Sequence, residues 1–216
     1  HHQPRRQRQM CIRDRAKTLG LLTFQQAIRG GVRPNLFQVE HNWPTGGTTL
    51  VEPTLDGLSD KPVMYMCKSA ALPATNVGTV ELPFRGRVVK VPGDRTYETW
   101  TATFYNDDAF KLRSAYEKWI ALTNGVDANV AEADISDIFQ SIQVTQLDKF
   151  AGGSNQLEPI RTYELVGAWP VSVGQIAIAY DNNDSYEEFD VEFAYQYHIT
   201  TGGDGTNLVG VSTAGG

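Results

Sequence analysis

Apolar and polar residues alternate most regularly late in the chain. Phe189, Val191, Phe193, Tyr195 and Tyr197 fall on one side of an extended run, and Glu188, Asp190 and Glu192 on the other. A two-residue period of this kind marks a half-buried strand, and the spacing predicts one over 187–199. The same pattern appears around Trp100, where Trp100, Ala102 and Phe104 share one face and Thr99, Thr101 and Thr103 the other. Threonine suits a pleated, half-exposed surface. Shorter runs predict strands over 36–43, 63–69, 80–84, 87–91, 142–147, 159–166 and 173–180, with a tight turn at Arg85-Gly86. The period changes to that of a helix in two places. One helix is predicted over 22–29, with Thr23 as its cap and Gly30-Gly31 ending it. The other runs from about 109 to 123 behind Asn106-Asp107-Asp108, with Leu112, Tyr116, Trp119 and Ile120 as its apolar stripe and Asn124-Gly125 closing it.

Eight or so strands with one substantial helix define the fold class. Strands and helices do not alternate along the chain, which argues against a doubly wound parallel sheet. The expectation is a mainly β protein, an antiparallel two-sheet β-sandwich or barrel with one flanking α-helix. Between the elements, 44–62 reads as a long hairpin excursion or surface loop and 126–137 as an acidic connector. From Thr200 onward a Gly/Thr/Ser-rich stretch reads as a flexible tail.

Composition narrows the function classes. About 41% of the 216 residues are hydrophobic and 20% charged, so a packed core is within reach. The chain has 19 basic and 25 acidic residues, a net charge of −6, and an acidic chain is poorly suited to gripping nucleic acid. No apolar run is long enough to predict a membrane-spanning helix. The first sixteen residues differ from the rest, with five arginines (Arg5, Arg6, Arg8, Arg13, Arg15) against Asp14 alone. Arg5 to Asp14 resembles the translated trace of a transposon-end sequencing adaptor. The expected organisation is a non-native leader over 1–16, one domain over 17–199 and the tail over 200–216. Without the leader's five arginines and one aspartate the charge becomes −10, and Cys67 is the one remaining cysteine.

Candidate chemistry is sparse. His41 and His198 stand near the ends of separate strands with no cysteine cluster to join them, so a structural zinc site lacks its ligands. A Cys67–His nucleophile pair competes with an inert thiol in an apolar strand, and the second reading is favoured. The run Asp181 to Ser185 has calcium-loop character but carries Tyr186 where the glycine belongs, so a turn explains it better. Glu187 and Glu188 are neighbours on opposite strand faces and form no dyad. Trp100 and Trp119 fall on core faces, which leaves Trp43 and Trp169 as the candidate pair for a sugar platform. The expectation is a protein without catalytic residues, metal or cofactor.

Certain residues carry more than their physics. Arg33 to Glu40 reads RPNLFQVE; Cys67-Lys68 is followed by Ala71-Leu72-Pro73-Ala74; Gly93 to Thr96 leads to Trp100 and then Asn106-Asp107; Trp169-Pro170 precedes Val173-Gly174. In this order, over about 30–197, the series resembles the tail tube proteins of contractile-tailed, T-even-like bacteriophages. The 44–62 excursion and the stretch after Ile199 read as longer than is usual there. The resemblance implies a structural virion protein assembled in the host cytoplasm. Six copies form a ring whose sheets close into an inner barrel, and rings stack into a tube that carries tape-measure protein and then DNA. The implied partners are further copies of the chain, tail sheath, tape-measure protein, baseplate and tail terminator. Double-stranded DNA passes without sequence-specific binding, which suits an acidic chain. Candidate lumen-lining residues are Glu188, Asp190 and Glu192, with Thr99, Thr101 and Thr103 as a rival inner surface. The alternatives are the tube of a bacterial contractile injection or secretion device and, further off, a carbohydrate-binding β-sandwich.

Overall fold

A computed structural model describes residues 21–28, 31–44, 62–149, 157–181 and 183–209. The basic leader, almost all of the 44–62 excursion and the last seven residues lie outside the described residues. The chain falls into two compact units, which divide between Val32 and Arg33. The first contains α1, Leu21–Ile28. Thr23, the expected cap, falls within this helix rather than before it. Gly31, at φ +66°, donates its N–H to the Ile28 carbonyl at 2.7 Å, a helix-ending contact in the left-handed region that glycine favours.

The second unit is the sandwich. Its strands are β1 (Phe37–His41), β2 (Cys67–Ala70), β3 (Asn76–Phe84), β4 (Arg87–Thr96), β5 (Trp100–Tyr105), β6 (Gln140–Leu147), β7 (Pro159–Val173), β8 (Glu188–Ala194), β9 (Tyr197–Gly202) and β10 (Asn207–Val209). Every pairing among them is antiparallel. β7 organises the two layers. Its first half pairs β6 on one side and β9 on the other, and β1 and β10 extend that layer. Its second half pairs β8, which leads on to β5 and β2. Gly167 marks the crossing at φ +65°, where a Cβ would stand 2.9 Å from Gln196 Cγ.

Core residues come from both layers and from the helix α3 (Lys111–Thr123). Trp100, Ala102 and Phe104 of β5 and Phe189, Val191 and Phe193 of β8 are buried, and so are Val39, Ile142, Val144 and Leu165 of the first layer. Leu112, Ala115, Tyr116 and Trp119 form the buried stripe of α3, with Ile120 only half-buried at its margin. Tyr116 reaches Phe104, Phe189 and Phe193, and the Trp119 indole N–H donates to the Ile138 carbonyl at 3.1 Å. Asp107 starts the helix. Its carboxylate accepts the N–H groups of Lys111 at 2.9 Å and Leu112 at 3.1 Å, while Phe110 takes a left-handed φ of 54°. Two of the donors orphaned at a helix start are thereby satisfied.

Four expectations need correction. The predicted strand over 63–69 is a short helix, α2 (Pro62–Met66), followed by β2. The predicted strand over 173–180 is not one. Gly174 still donates to the Asp190 carbonyl at 2.7 Å, but the chain then leaves the sheet as an excursion with Ile178 and Tyr180 exposed. Its apolar run is strand-like, but among the described residues no strand pairs with it. The run over 187–199 is two strands, because β8 belongs to one layer and β9 to the other, and the chain changes partners at 195–196. Finally, the chain past Ile199 is ordered in part. Thr200 is buried opposite Tyr163, and β9 and β10 form a hairpin whose glycines, Gly202, Gly203 and Gly205, sit at its turn. A short helix in the connector, α4 (Ile135–Ile138), lies between α3 and β6.

β3 and β4 stand apart from both layers. They form a two-stranded sheet joined at Arg85 and Gly86, with φ of 45° and 80°. Two consecutive left-handed residues are the turn that matches the twist of a two-residue hairpin. The turn lies where the sequence placed it, and the arms run longer than 80–84 and 87–91.

Candidate functional surface

The outward face of the second layer is built from alternating residues of neighbouring strands. β5 and β8 pair so that Thr101 lies opposite Glu192, Thr103 opposite Asp190 and Tyr105 opposite Glu188. The acidic and threonine faces, rivals in the sequence, are therefore one surface. The Thr103 hydroxyl donates to Asp190 at 2.7 Å. Ser172 of β7 lies opposite Glu192 and donates to its carboxylate at 3.4 Å. On the far side Lys68 of β2 pairs with Glu188, and its ammonium sits 5.9 Å from the Tyr105 ring centroid. The hydrogen bond that Lys68 donates to the Glu188 carboxylate raises the Lys68 pKa, and the Glu188 charge adds to it. Thr99 lies one residue before β5, exposed. The result is a polar sheet face with carboxylates in its middle row and hydroxyls on both flanks. Lys68 stood out in the sequence only as part of a family motif, and Ser172 not at all. Their place on this face was signalled only by alternation, too short in β2 to read.

The chemistry-bearing residues are elsewhere. His41 Nε2 lies 2.8 Å from the Tyr116 hydroxyl, and its ring packs against Trp43, Tyr116, Trp119 and Phe193. Burial lowers its pKa to about 4, against a smaller opposing effect of the Asn42 carbonyl. His198 is buried on β9 among Tyr97, Tyr163 and Tyr195, 3.2 Å from the Thr75 hydroxyl; burial and Arg95 lower its pKa. Cys67 is half-buried at the start of β2, and burial pushes its thiol up to about 12. The structure does not bring Cys67 and a histidine together as an activated pair: the thiol donates to the Ser69 carbonyl. Trp43 packs against His41, Tyr116 and Trp119, and Trp169 stacks on Phe139 at 5.0 Å. Both rings are partly buried against aromatic neighbours, which reduces the face a sugar platform would use. Asp181 to Ser185 lies at the far end of the excursion between β7 and β8, and among the described residues no three acidic, histidine or cysteine side chains are grouped to hold a metal.

A two-layer antiparallel sandwich with one flanking helix, a polar sheet face and, among the described residues, unpaired strand edges defines the class: a mainly β sandwich protein whose exposed sheet face carries no grouped catalytic or metal-binding side chains. A family model described as phage tail tube protein matches residues 32–201, so the chain belongs to the phage tail tube protein family. The tail tube protein gp19 of Enterobacteria phage T4 is 29% identical over 165 residues, 76% of this chain and 89% of that protein. The tail tube protein of Serratia phage KSP90 is 28% identical over 160 residues, 73% of this chain and 85% of its own length. Two cryo-EM structures share the fold. A chain of the anti-feeding prophage baseplate aligns with a TM-score of 0.52 at 10% identity, covering 77% of this chain and 93% of that one. A chain of the PVC sheath–tube complex, from an extracellular contractile injection system, aligns with a TM-score of 0.50 at 15% identity, covering 83% and 97%.

Proposed function

We propose that this protein forms hexameric rings that stack into the inner tube of a contractile phage tail, and that the tube carries tape-measure protein during assembly and double-stranded DNA during infection. The observation that carries the reading is the second layer. Its outward face is hydroxyl and carboxylate, and its two margins are free: among the described residues β2 pairs only β5, and 169–173 of β7 pair only β8. Free edges invite uncontrolled pairing unless something covers them. Setting β2 of one copy beside the β7 edge of the next uses both, in a heterologous contact that closes by rotation. The core side of the layer then faces α3, and the polar side faces the lumen.

That face suits a conduit for DNA. Lys and Arg contacts to phosphate give salt-dependent affinity, and a polymer held that way would stick. Glu188, Asp190 and Glu192 repel phosphate, and Lys68 is held by Glu188 and its charge offset. Thr99, Thr101, Thr103 and Ser172 add a neutral hydroxyl surface. Further partners are the tail sheath, baseplate and tail terminator; the protein is a virion component assembled in the host cytoplasm. The curated phage relatives support a phage tail over an injection device. Electron microscopy of the concentrated full chain tests the reading. Hollow six-fold rings with the Asp190 row on the inner wall are expected. A persistent monomer, or a ring with these carboxylates outside, would overturn it.

A further inference from the structure

The β3–β4 hairpin belongs to neither layer, and among the described residues its two strands pair only with each other. Two short segments without regular structure tie it to the sandwich, 71–75 after β2 and 97–99 before β5. Irregular segments at the ends of a rigid element are where it can pivot. The Trp100 indole fixes the near end of the first segment through the Ala71 carbonyl, so its freedom lies in 72–75. The contacts at these two roots therefore decide whether the hairpin stays against the sandwich.

Both roots meet one side chain, His198 of β9. The Thr75 hydroxyl lies 3.2 Å from its Nε2, and the Tyr97 ring stands edge-on to its ring at 5.5 Å. The Asn76 amide donates to Glu98 at 2.9 Å and joins the roots to each other. Tyr163 of β7 and Tyr195 pack on His198 from the sandwich side, each at 6.3 Å. His198 is 6% exposed, and its Nδ1 is buried with no hydrogen-bond partner among the described residues. A protonated imidazole carries a donor on each nitrogen. Thr75 serves one of them, so a proton on the other leaves a charged donor buried and unpaired, which is costly. The charged and titratable groups around the ring are Arg95 and Tyr97 on the β4 side, Glu98 at the root, Tyr163 on β7 and Tyr195 before β9. Burial, and with it the positive charge of Arg95, lowers the His198 pKa; Glu98 is engaged by Asn76.

We propose that His198 is a proton-operated latch at the foot of the β3–β4 hairpin: neutral, it holds both roots against β9, and protonated, it lets the hairpin swing away. Opening breaks only the root contacts, because the two hairpin strands stay paired with each other, and local openings of this kind cost less than global unfolding. It also gives the imidazolium to water. In the released state His198 has its ordinary pKa of about 6.5, and in the latched state a lower one. The latch is therefore intact above pH 6.5 and loosens as pH falls below it. The hairpin carries Leu82 and Phe84, 51% and 62% exposed, so the latch sets the direction in which the chain presents an apolar surface. It is a property of the single chain and does not rest on the tube reading.

Hydrogen exchange of the dilute full-length chain, read peptide by peptide by mass at pH 7.5 and 5.5 and corrected for intrinsic exchange rates, tests the latch. Protection over 72–76 and 95–99 should fall several-fold at the lower pH. The ceiling is about tenfold, the limit for a group released one pH unit below its free pKa. Protection in α3 and β8 should fall less. His198→Gln keeps an amide for Thr75 but cannot take up the proton, and it should abolish the fall at the roots. Thr75→Val changes an exposed residue, so it keeps the test open if the histidine variant does not fold; it should lower root protection already at pH 7.5. Roots that keep their protection at pH 5.5 would overturn the latch, and so would a fall of equal size in α3 and β8, which marks global loosening. A fall that persists undiminished in His198→Gln, or a Thr75→Val chain with wild-type root protection, would overturn it as well.

Discussion

His41 has a polar partner in an aromatic setting. Burial holds its pKa near 4, below the ordinary 6.5. Above pH 6.5 it is neutral folded and unfolded, and its contribution to stability is complete. As pH falls from 6.5 toward 4 the unfolded chain takes up a proton that the folded chain does not, so stability drops by up to about 1.4 kcal/mol per pH unit and levels off below the folded value. His198, also lowered, adds a loss of the same sign as pH falls below 6.5. The melting temperature of His41→Gln should therefore depend less on pH between 6.5 and 4 than that of wild type, whatever its starting level; parallel curves would show that His41 is not the source. Cys67 is to be inert for a similar reason. With its thiol pushed up to about 12, almost no thiolate exists near neutrality, and alkylation at pH 8, followed by peptide mass, should spare Cys67 until the chain is unfolded. Neither environment was legible in the sequence beyond a general preference for an inert thiol. The Tyr116 that meets His41 comes from a helix 75 residues further on.

The elements divide by how local their causes are. The start of α3 was legible because Asn106-Asp107-Asp108 is a local signal, and Asp107 acts within five residues of itself. Asp107→Ala removes both of its hydrogen bonds to the first turn and should cost about 1–2 kcal/mol, the usual value of a lost cap, read as a lower denaturant midpoint. The hairpin turn at Arg85-Gly86 was legible for the same reason. The break between β8 and β9 was not. Alternation runs through it from Phe193 to Tyr195 to Tyr197, while its cause, a change of pairing partner along β7, lies about thirty residues upstream in the sequence. Gly167 is the residue on which that change turns. Gly167→Ala would force a side chain into a left-handed backbone and against Gln196, costing about 1–2 kcal/mol for the backbone alone. The expected midpoint shift is at least as large as that of Asp107→Ala.

At the scale of the molecule, the antiparallel sandwich with one flanking helix followed from periodicity, and the family motifs agreed with it. What stayed illegible was that the threonine and carboxylate rows are one face. Thr103 and Asp190 touch across 87 residues of sequence, and strand order is a long-range property that neither run encodes alone. The proposed passage of DNA depends on that face. Asp190→Lys with Glu192→Lys turns a repelling row into a phosphate-binding one in every copy. Phage carrying it should still build tails, because both side chains lie outside the core, but should release DNA more slowly. Raised salt should relieve the defect by screening. Release at the wild-type rate would remove these residues from the conduit wall.

β7 has a mechanical meaning as well. A sandwich held only by side-chain packing can shear, one layer sliding over the other at the cost of weak contacts. Here a single covalent chain leaves one layer and enters the next within fifteen residues, so sliding the layers means stretching or breaking a strand. In the proposed tube, with the second layer turned to the lumen, each β7 would act as a tie rod between the inner and outer layers. Torque or thrust applied on the outside would then reach the inner wall as rigid motion of the whole subunit.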